Sequence, residues 1–157
     1  MSHLTGGGLV LLPREARSID FGGFDVLVHA DNKDTGGAFS LIETREDEAN
    51  VGPPRHIHRD AAESFYVIDG EYRMYLDGRD FVCPAGSFIY VPAGTTHTFA
   101  SMSAGCRKLN LYTPSAMVGY FDDLAAAMRD GVDEAGLTAI AKRHAMEVVG
   151  PVPEGYV

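Results

Sequence analysis

Tryptophan is absent from this 157-residue chain, cysteine occurs only twice, and basic residues number 13 against 22 acidic ones. Each shortage excludes something. Cys83 and Cys106 lack a CxxC spacing and do not build a disulfide framework. Both fall within β-like runs, where a free cysteine behaves as a small buried hydrophobe. A formal net charge of −9 argues against a surface for nucleic acid or anionic membrane. No apolar run approaches the roughly 20 residues of a membrane span, and the N-terminus lacks a basic stretch followed by an apolar one of signal-peptide length. A cytoplasmic location without membrane partners is expected. The length suits a single domain over residues 1–157, able to bury a core without disulfides.

What the chain does have is punctuation, with 18 glycines and 8 prolines separating short β-like runs. GLVLL and FDVLVHA are divided by Pro13 and the Gly22–Gly23 pair. DNKDTGG reads as a turn cluster, followed by a strand near Ala38 to Thr44. Later strands are expected at SFYVI, EYRMYL, DFVC, SFIYV, HTFASM and CRKLNLY, with Asp77–Gly78 as a tight hairpin. Several short strands at regular intervals favour an all-β sandwich or barrel occupying about residues 9–113. From about residue 114 the period changes. Thr113–Pro114 reads as an N-cap and first helical residue. Met117, Tyr120, Phe121, Leu124 and Met128 then recur at helical spacing as far as Gly131. A second helix is expected from near Asp133 toward Met146, with Leu137, Ile140 and Ala141 on one face, and GPVPEGYV ends it. These apolar stripes suit packing against the barrel or across one mouth of a cavity.

Four side chains carry the chemistry. In PPRHIHRDAAESFYVIDG, His56 and His58 are two apart, so on a strand both rings point to one side. A turn through Arg59 to Ala62 brings Glu63 back on the neighbouring strand. In GSFIYVPAGTTHTF, Pro92 and Gly94 mark a turn just before His97. Three imidazoles and one carboxylate suit a divalent transition metal with positions left for water, substrate or dioxygen. His3, His29 and His144 have no such company, and exposure or ordinary packing accounts for them.

These two stretches resemble the paired motifs of the cupin superfamily, G-x5-H-x-H-x3,4-E-x6-G and G-x5-P-x-G-x2-H-x3-N. Residues His56 to Gly70 match the first at every fixed position, and Gly86 to His97 match the second. Asn50 stands where the opening glycine belongs, with Gly52 two places later, and Ser101 replaces the closing asparagine. Asparagine tolerates the left-handed backbone that glycine often supplies there. With the short linker Glu71 to Ala85, the resemblance covers about a third of the chain. It implies a single cupin domain, an antiparallel double-stranded β-helix or jelly-roll barrel with a short C-terminal helical segment. It also implies one divalent metal per chain held by His56, His58, Glu63 and His97 between the sheets, and a homodimer. The layout is similar to small quercetin dioxygenase-like cupins, which favours Fe(II), with Ni, Mn, Cu or Zn as alternatives, and a dioxygenase-type reaction. A non-oxidative cyclase, isomerase or decarboxylase and a non-catalytic small-molecule-binding module are the other readings.

Alternation adds a candidate pocket. Phe65 and Val67 share the face of Glu63, and Phe99 that of His97, so the space beside the metal should be largely apolar and partly aromatic, suited to a flat or apolar organic substrate. Tyr66, Tyr75 and Tyr90 either contribute or pack outside. Lys108, Asn110 and Tyr112 alternate with Leu109 and Leu111, so one of the two sets faces inward. If it is the polar set, Lys108 is a candidate for substrate charge compensation or proton transfer and Tyr112 a candidate wall. The cupin resemblance gives Glu63 a second role, as a base toward bound substrate.

Overall fold

The computed structural model describes residues 3–5, 7–22 and 24–156. The side chain of His3 and the Gly23 half of the Gly22–Gly23 turn lie outside the described residues. In chain order the elements begin with strands β1 (His3–Thr5), β2 (Gly8–Val10), β3 (Arg17–Asp20) and β4 (Phe24–Ala30), then helix α1 (Asn32–Thr35) and β5 (Ser40–Glu46). There follow β6 (Arg55–His58), β7 (Ala62–Asp69), β8 (Glu71–Leu76), β9 (Arg79–Pro84) and β10 (Phe88–Val91). The last are β11 (His97–Ser101), β12 (Cys106–Thr113), α2 (Val118–Asp130), α3 (Glu134–Arg143) and β13 (Met146–Gly150).

Two antiparallel sheets face one another, in the orders β10-β7-β12-β5-β4-β3 and β13-β6-β11-β8-β9. Hairpins set much of the register. Asp77 and Gly78 both have positive φ, 46° and 85°, which a two-residue connection between β8 and β9 requires. The inner faces meet as two apolar clusters. One gathers Ile19, Val26, Val28 and Ile42 with Met117, Val118, Ala125 and Ala141 of the helical region. The other gathers Phe65, Val67, Tyr72, Met74, Val91, Cys83 and Cys106. Each large apolar side chain so buried contributes about 1.5–3 kcal/mol. Both cysteines are free and buried, as expected. No helix among the described residues is long and apolar enough to cross a membrane.

Several boundaries differ from the sequence reading. The DNKDTGG cluster contains the single helical turn α1, because Asp31 accepts from the Lys33 amide and Asp34 reaches back to the Asp31 amide. Thr113 does not open a helix. It is the last residue of β12, paired with Ala62, and α2 starts at Val118. The second helix begins where expected, with Asp133 as its N-cap, but ends at Arg143 rather than near Met146. Ala145 then turns the chain at φ 54°, and Met146–Gly150 returns to pair with β6 as an edge strand. The last part of the supposed helix therefore completes the five-stranded sheet beside the histidine strand.

The two departures from the motifs are accommodated locally. Asn50 adopts φ 62°, the conformation for which it substitutes for glycine. Gly52 lies against β11 so closely that an added Cβ would sit 1.8 Å from the Phe99 carbonyl oxygen. Ser101 donates to the Glu48 carbonyl at 2.8 Å and accepts from the Val51 amide at 3.1 Å. These contacts tie the loop before β6 onto β11 and fix the approach to His56.

Candidate metal centre

His56 and His58 project from β6 and His97 from the adjacent β11, where His97 is the direct cross-strand partner of His56. Glu63 does not come from a strand paired with β6. The turn after His58 carries the chain across to β7, so the carboxylate arrives from the facing six-stranded sheet. All four are buried, and their candidate ligand atoms lie within 4.8 Å of one another. The ring centroids of His56 and His97 are 4.3 Å apart, and those of His56 and His58 5.0 Å.

Hydrogen bonds orient the donors. Nδ1 of His56 is 2.8 Å from the Pro54 carbonyl and Nδ1 of His97 is 2.9 Å from the Thr95 carbonyl. Nδ1–H donation to a backbone carbonyl leaves Nε2 of each ring as the inward lone pair, the usual way a metal-binding histidine is aimed. Nε2 of His58 and of His97 stand 2.9 and 3.0 Å from Oε2 of Glu63, while Asn110 Nδ2 donates to Oε1 at 2.8 Å. Among the described residues, His58 Nδ1 and Asn110 Oδ1 are buried without a hydrogen-bond partner. Such a donor set, buried and pre-aimed, fits one divalent transition ion.

The electrostatics treat the four donors differently. Burial, then repulsion from His97 and His58, pushes His56 down to about 3, so its imidazole is neutral at ordinary pH. Burial opposes ionisation of Glu63, but hydrogen bonds and charge from His58 and His97 outweigh it and hold the carboxyl well below its usual range. For His97 burial again opposes the charge, and the Glu63 carboxylate raises the ring above its ordinary value. Tyr112 is pushed well up by burial and by the Glu63 carboxylate beside it, so its phenol stays protonated.

A cavity of about 640 Å³ opens onto His56, His58 and Glu63. Its walls are mostly apolar. Phe99 and Tyr112 line it, together with Phe24, Tyr120, Phe121, Leu124, Leu137, Ala141, Met146 and Val148. The helices thus form one wall of the cavity. Of the residues expected to line the pocket, Phe65 and Val67 lie elsewhere. They face inward but belong to the second apolar cluster, with the Phe65 ring centroid 6.2 Å from that of His97. The polar set of β12 does face inward, since Lys108, Asn110 and Tyr112 are all buried. Lys108 does not offer its charge to a ligand, however. Its ammonium donates to Thr44 Oγ1 at 2.5 Å and Glu46 Oε1 at 2.8 Å and sits 3.8 Å from the Phe99 ring centroid. The register places Lys108 opposite Thr44 and brings Glu46 within its reach.

Sequence reading missed Asn110 as the partner of Glu63, and Thr44 and Glu46 as cavity residues. For Asn110 the signal was there, two positions from Tyr112 on the same face. For Glu46 it was hidden in an acidic run, TREDEAN, which reads as a solvated loop. The remaining candidates are outside the site. His29 contacts Glu43 at 3.3 Å and His144 contacts Asp123 at 2.8 Å. Tyr66 and Tyr90 are exposed, and Tyr75 stacks under Arg55.

Comparison with known proteins agrees with this geometry. Residues 46–109 match the family described as a cupin domain. Quercetin 2,3-dioxygenase of Bacillus subtilis (strain 168) is 29% identical over 100 residues, 64% of this chain but only 29% of that protein. The match therefore spans less than a third of the relative's length. Among solved structures, the polyketide cyclase RemF from Streptomyces resistomycificus superposes with a TM-score of 0.57 at 21% identity, covering 68% of this chain and 79% of that one. Pac13, a nucleoside dehydratase from Streptomyces, gives 0.56 at 13% identity and 89% coverage of both chains.

Proposed function

This chain has the cupin fold, carries a cupin domain over residues 46–109 and resembles quercetin dioxygenase-like proteins, and from that premise we propose that it is a metal-dependent, dioxygenase-type oxidoreductase acting on a small, largely apolar or aromatic organic molecule. The observation that carries the reading is the buried three-histidine, one-glutamate group at the edge of an apolar cavity. His56, His58, Glu63 and His97 hold the ion, with Fe(II) favoured among first-row metals. When bound, it supplies a Lewis acid and, if redox-active, a route for dioxygen chemistry.

The chain's own residues do the rest. Phe99, Tyr120 and Phe121 exclude water and seat a flat ring system beside the histidines. Glu63, ionised but kept a weak base by His58 and His97, is placed to accept a proton only from an acidic hydroxyl of the substrate, and Asn110 donates to its Oε1. A non-oxidative use of the same site is the second reading, favoured by the likeness of the fold to a polyketide cyclase and a nucleoside dehydratase.

Oxygen uptake separates the two. Fe(II)-loaded protein supplied with flavonol and catechol-type substrates in a closed electrode cell is expected to consume about one dioxygen per substrate lost. Substrate conversion at an unchanged rate under strict anaerobiosis would defeat the oxygenase reading and establish the non-oxidative one.

A further inference from the structure

Residues 151–156 follow β13 without forming a helix or strand. Tyr156 is nevertheless only 3% exposed, although Glu154 and Gly155 before it are open to solvent. Side chains of the five-stranded sheet fix the path of this segment. Arg55 Nε donates to the Pro151 carbonyl at 3.0 Å. The Arg73 guanidinium donates to the Gly155 carbonyl at 2.7 Å and stands 5.5 Å from the Tyr156 ring centroid. The Tyr156 hydroxyl donates to Asp80 Oδ1. Arg55 lies on β6, Arg73 on β8 and Asp80 on β9, so the segment runs as a strap from the β13 edge of the sheet to the β9 edge. Arg55 alternates with His56, and Arg73 with the buried Tyr72 and Met74, which places the strap on the face turned away from the histidines.

The strand from which the strap departs belongs to the cavity. Met146 and Val148 are the cross-strand partners of His58 and His56, and with Gly150 and Pro151 they line the space beside the histidines. β13 is an edge strand whose ladder is to β6 alone. Its first end is secured, because the Arg59 amide donates to the Ala145 carbonyl at 2.8 Å. At its other end the ladder shifts register between Val148 and Gly150, and Val148 and Val149 are both exposed. An edge strand with an irregular, solvent-exposed end is where local opening starts. The strap supplies the restraint that the ladder lacks there.

We propose that Tyr156 is a positioning residue for the ligand cavity: seated between Arg73 and Asp80, it tethers the strap and so holds Met146 and Val148 against the flank of the histidines. This rests on the reading of that cavity as the ligand site. A ligand that needs this wall in place binds only the tethered state, and its dissociation constant rises as that state is depopulated. By linkage, the bound ligand holds the strap closed in turn.

Hydrogen exchange and fluorescence titration with 2-naphthol, on Zn(II)-loaded protein, test the tether in a chain that has no tryptophan to interfere. The Tyr156 amide, which donates to the Pro153 carbonyl at 3.2 Å, reports the strap from outside the cavity lining, and the β13 amides report the wall. Saturating naphthol is expected to slow exchange about tenfold at both. Tyr156→Ala is expected to speed exchange of the β13 amides and to weaken naphthol, each about tenfold, with one Zn(II) per chain retained. Tyr156→Phe, which keeps the ring beside Arg73 but not the bond to Asp80, should recover most of the affinity. Naphthol that protects β13 but leaves the Tyr156 amide unaffected would overturn the role of Tyr156 while leaving the cavity and the metal centre standing. So would a Tyr156→Ala protein with unchanged β13 exchange and affinity, or one that loses its Zn(II), since the fault would then lie in β6. Failure of naphthol to bind the unaltered protein would overturn both the cavity reading and the tether. If Tyr156→Ala does not fold, the response of the Tyr156 amide to naphthol in the unaltered protein decides alone.

Discussion

Glu63→Gln is expected to fold normally and to lose about 10²- to 10⁴-fold in turnover, the range associated with removing a positioned general base. The side chain keeps its volume, and an amide can still accept from Asn110 or one of the imidazoles, so the packing around this 2%-exposed residue need not collapse. What disappears is the negative charge that faces His58 and His97 and that the hydrogen bonds from both rings stabilise. Turnover and metal content should be measured on the same sample, because Glu63 is also placed as a ligand. Reduced turnover at full metal occupancy supports the base role. Full turnover at full occupancy would remove it, leaving Glu63 a ligand alone.

The second large effect concerns stability. Lys108→Met is expected to cost about 3–5 kcal/mol, since it strands the Glu46 carboxylate in the interior without its counter-ion. Lys108 is fully buried and Glu46 nearly so, so solvent does little to screen the loss. Thr44 and Tyr72 still donate to the carboxylate but carry no charge. Adding Glu46→Gln should restore most of the stability, because a neutral pair of similar shape has no uncompensated charge to bury. Urea unfolding of the two single variants and the double variant checks this as a thermodynamic cycle. Additive losses would mean that the two charges are not energetically coupled.

The three-histidine, one-glutamate group was legible in the sequence because its geometry is local in two separate pieces. His56 and His58 share a face by the period of a strand, and His97 follows a Pro92–Gly94 turn whose outcome is a neighbouring strand. That Glu63 approaches from the facing sheet was not legible, because a connection as short as the three residues between His58 and Ala62 serves equally for a hairpin and for a crossing between sheets. The same limit explains Lys108. Its inward orientation was one of two options open to an alternating strand, and its partner depended on a register between β12 and β5 that involves residues some 60 positions away. β13 escaped notice because Met146–Gly150 is short and follows a helix without a proline or paired glycines; only its ladder to β6 makes it a strand. The loop before β6 was better specified than its motif departures suggested, since Asn50 and Ser101 meet the backbone requirements of the residues they replace.

The most direct test of a metal-dependent site is elemental analysis of protein purified without chelator or added metal, beside the His56→Ala/His58→Ala variant, with both samples checked for folded structure by circular dichroism. The structure predicts close to one divalent transition ion per chain in the unaltered protein and essentially none in the variant. Protein that is metal-free as purified and takes up no Fe(II), Ni(II), Mn(II) or Zn(II) under reducing conditions would contradict the account at its centre.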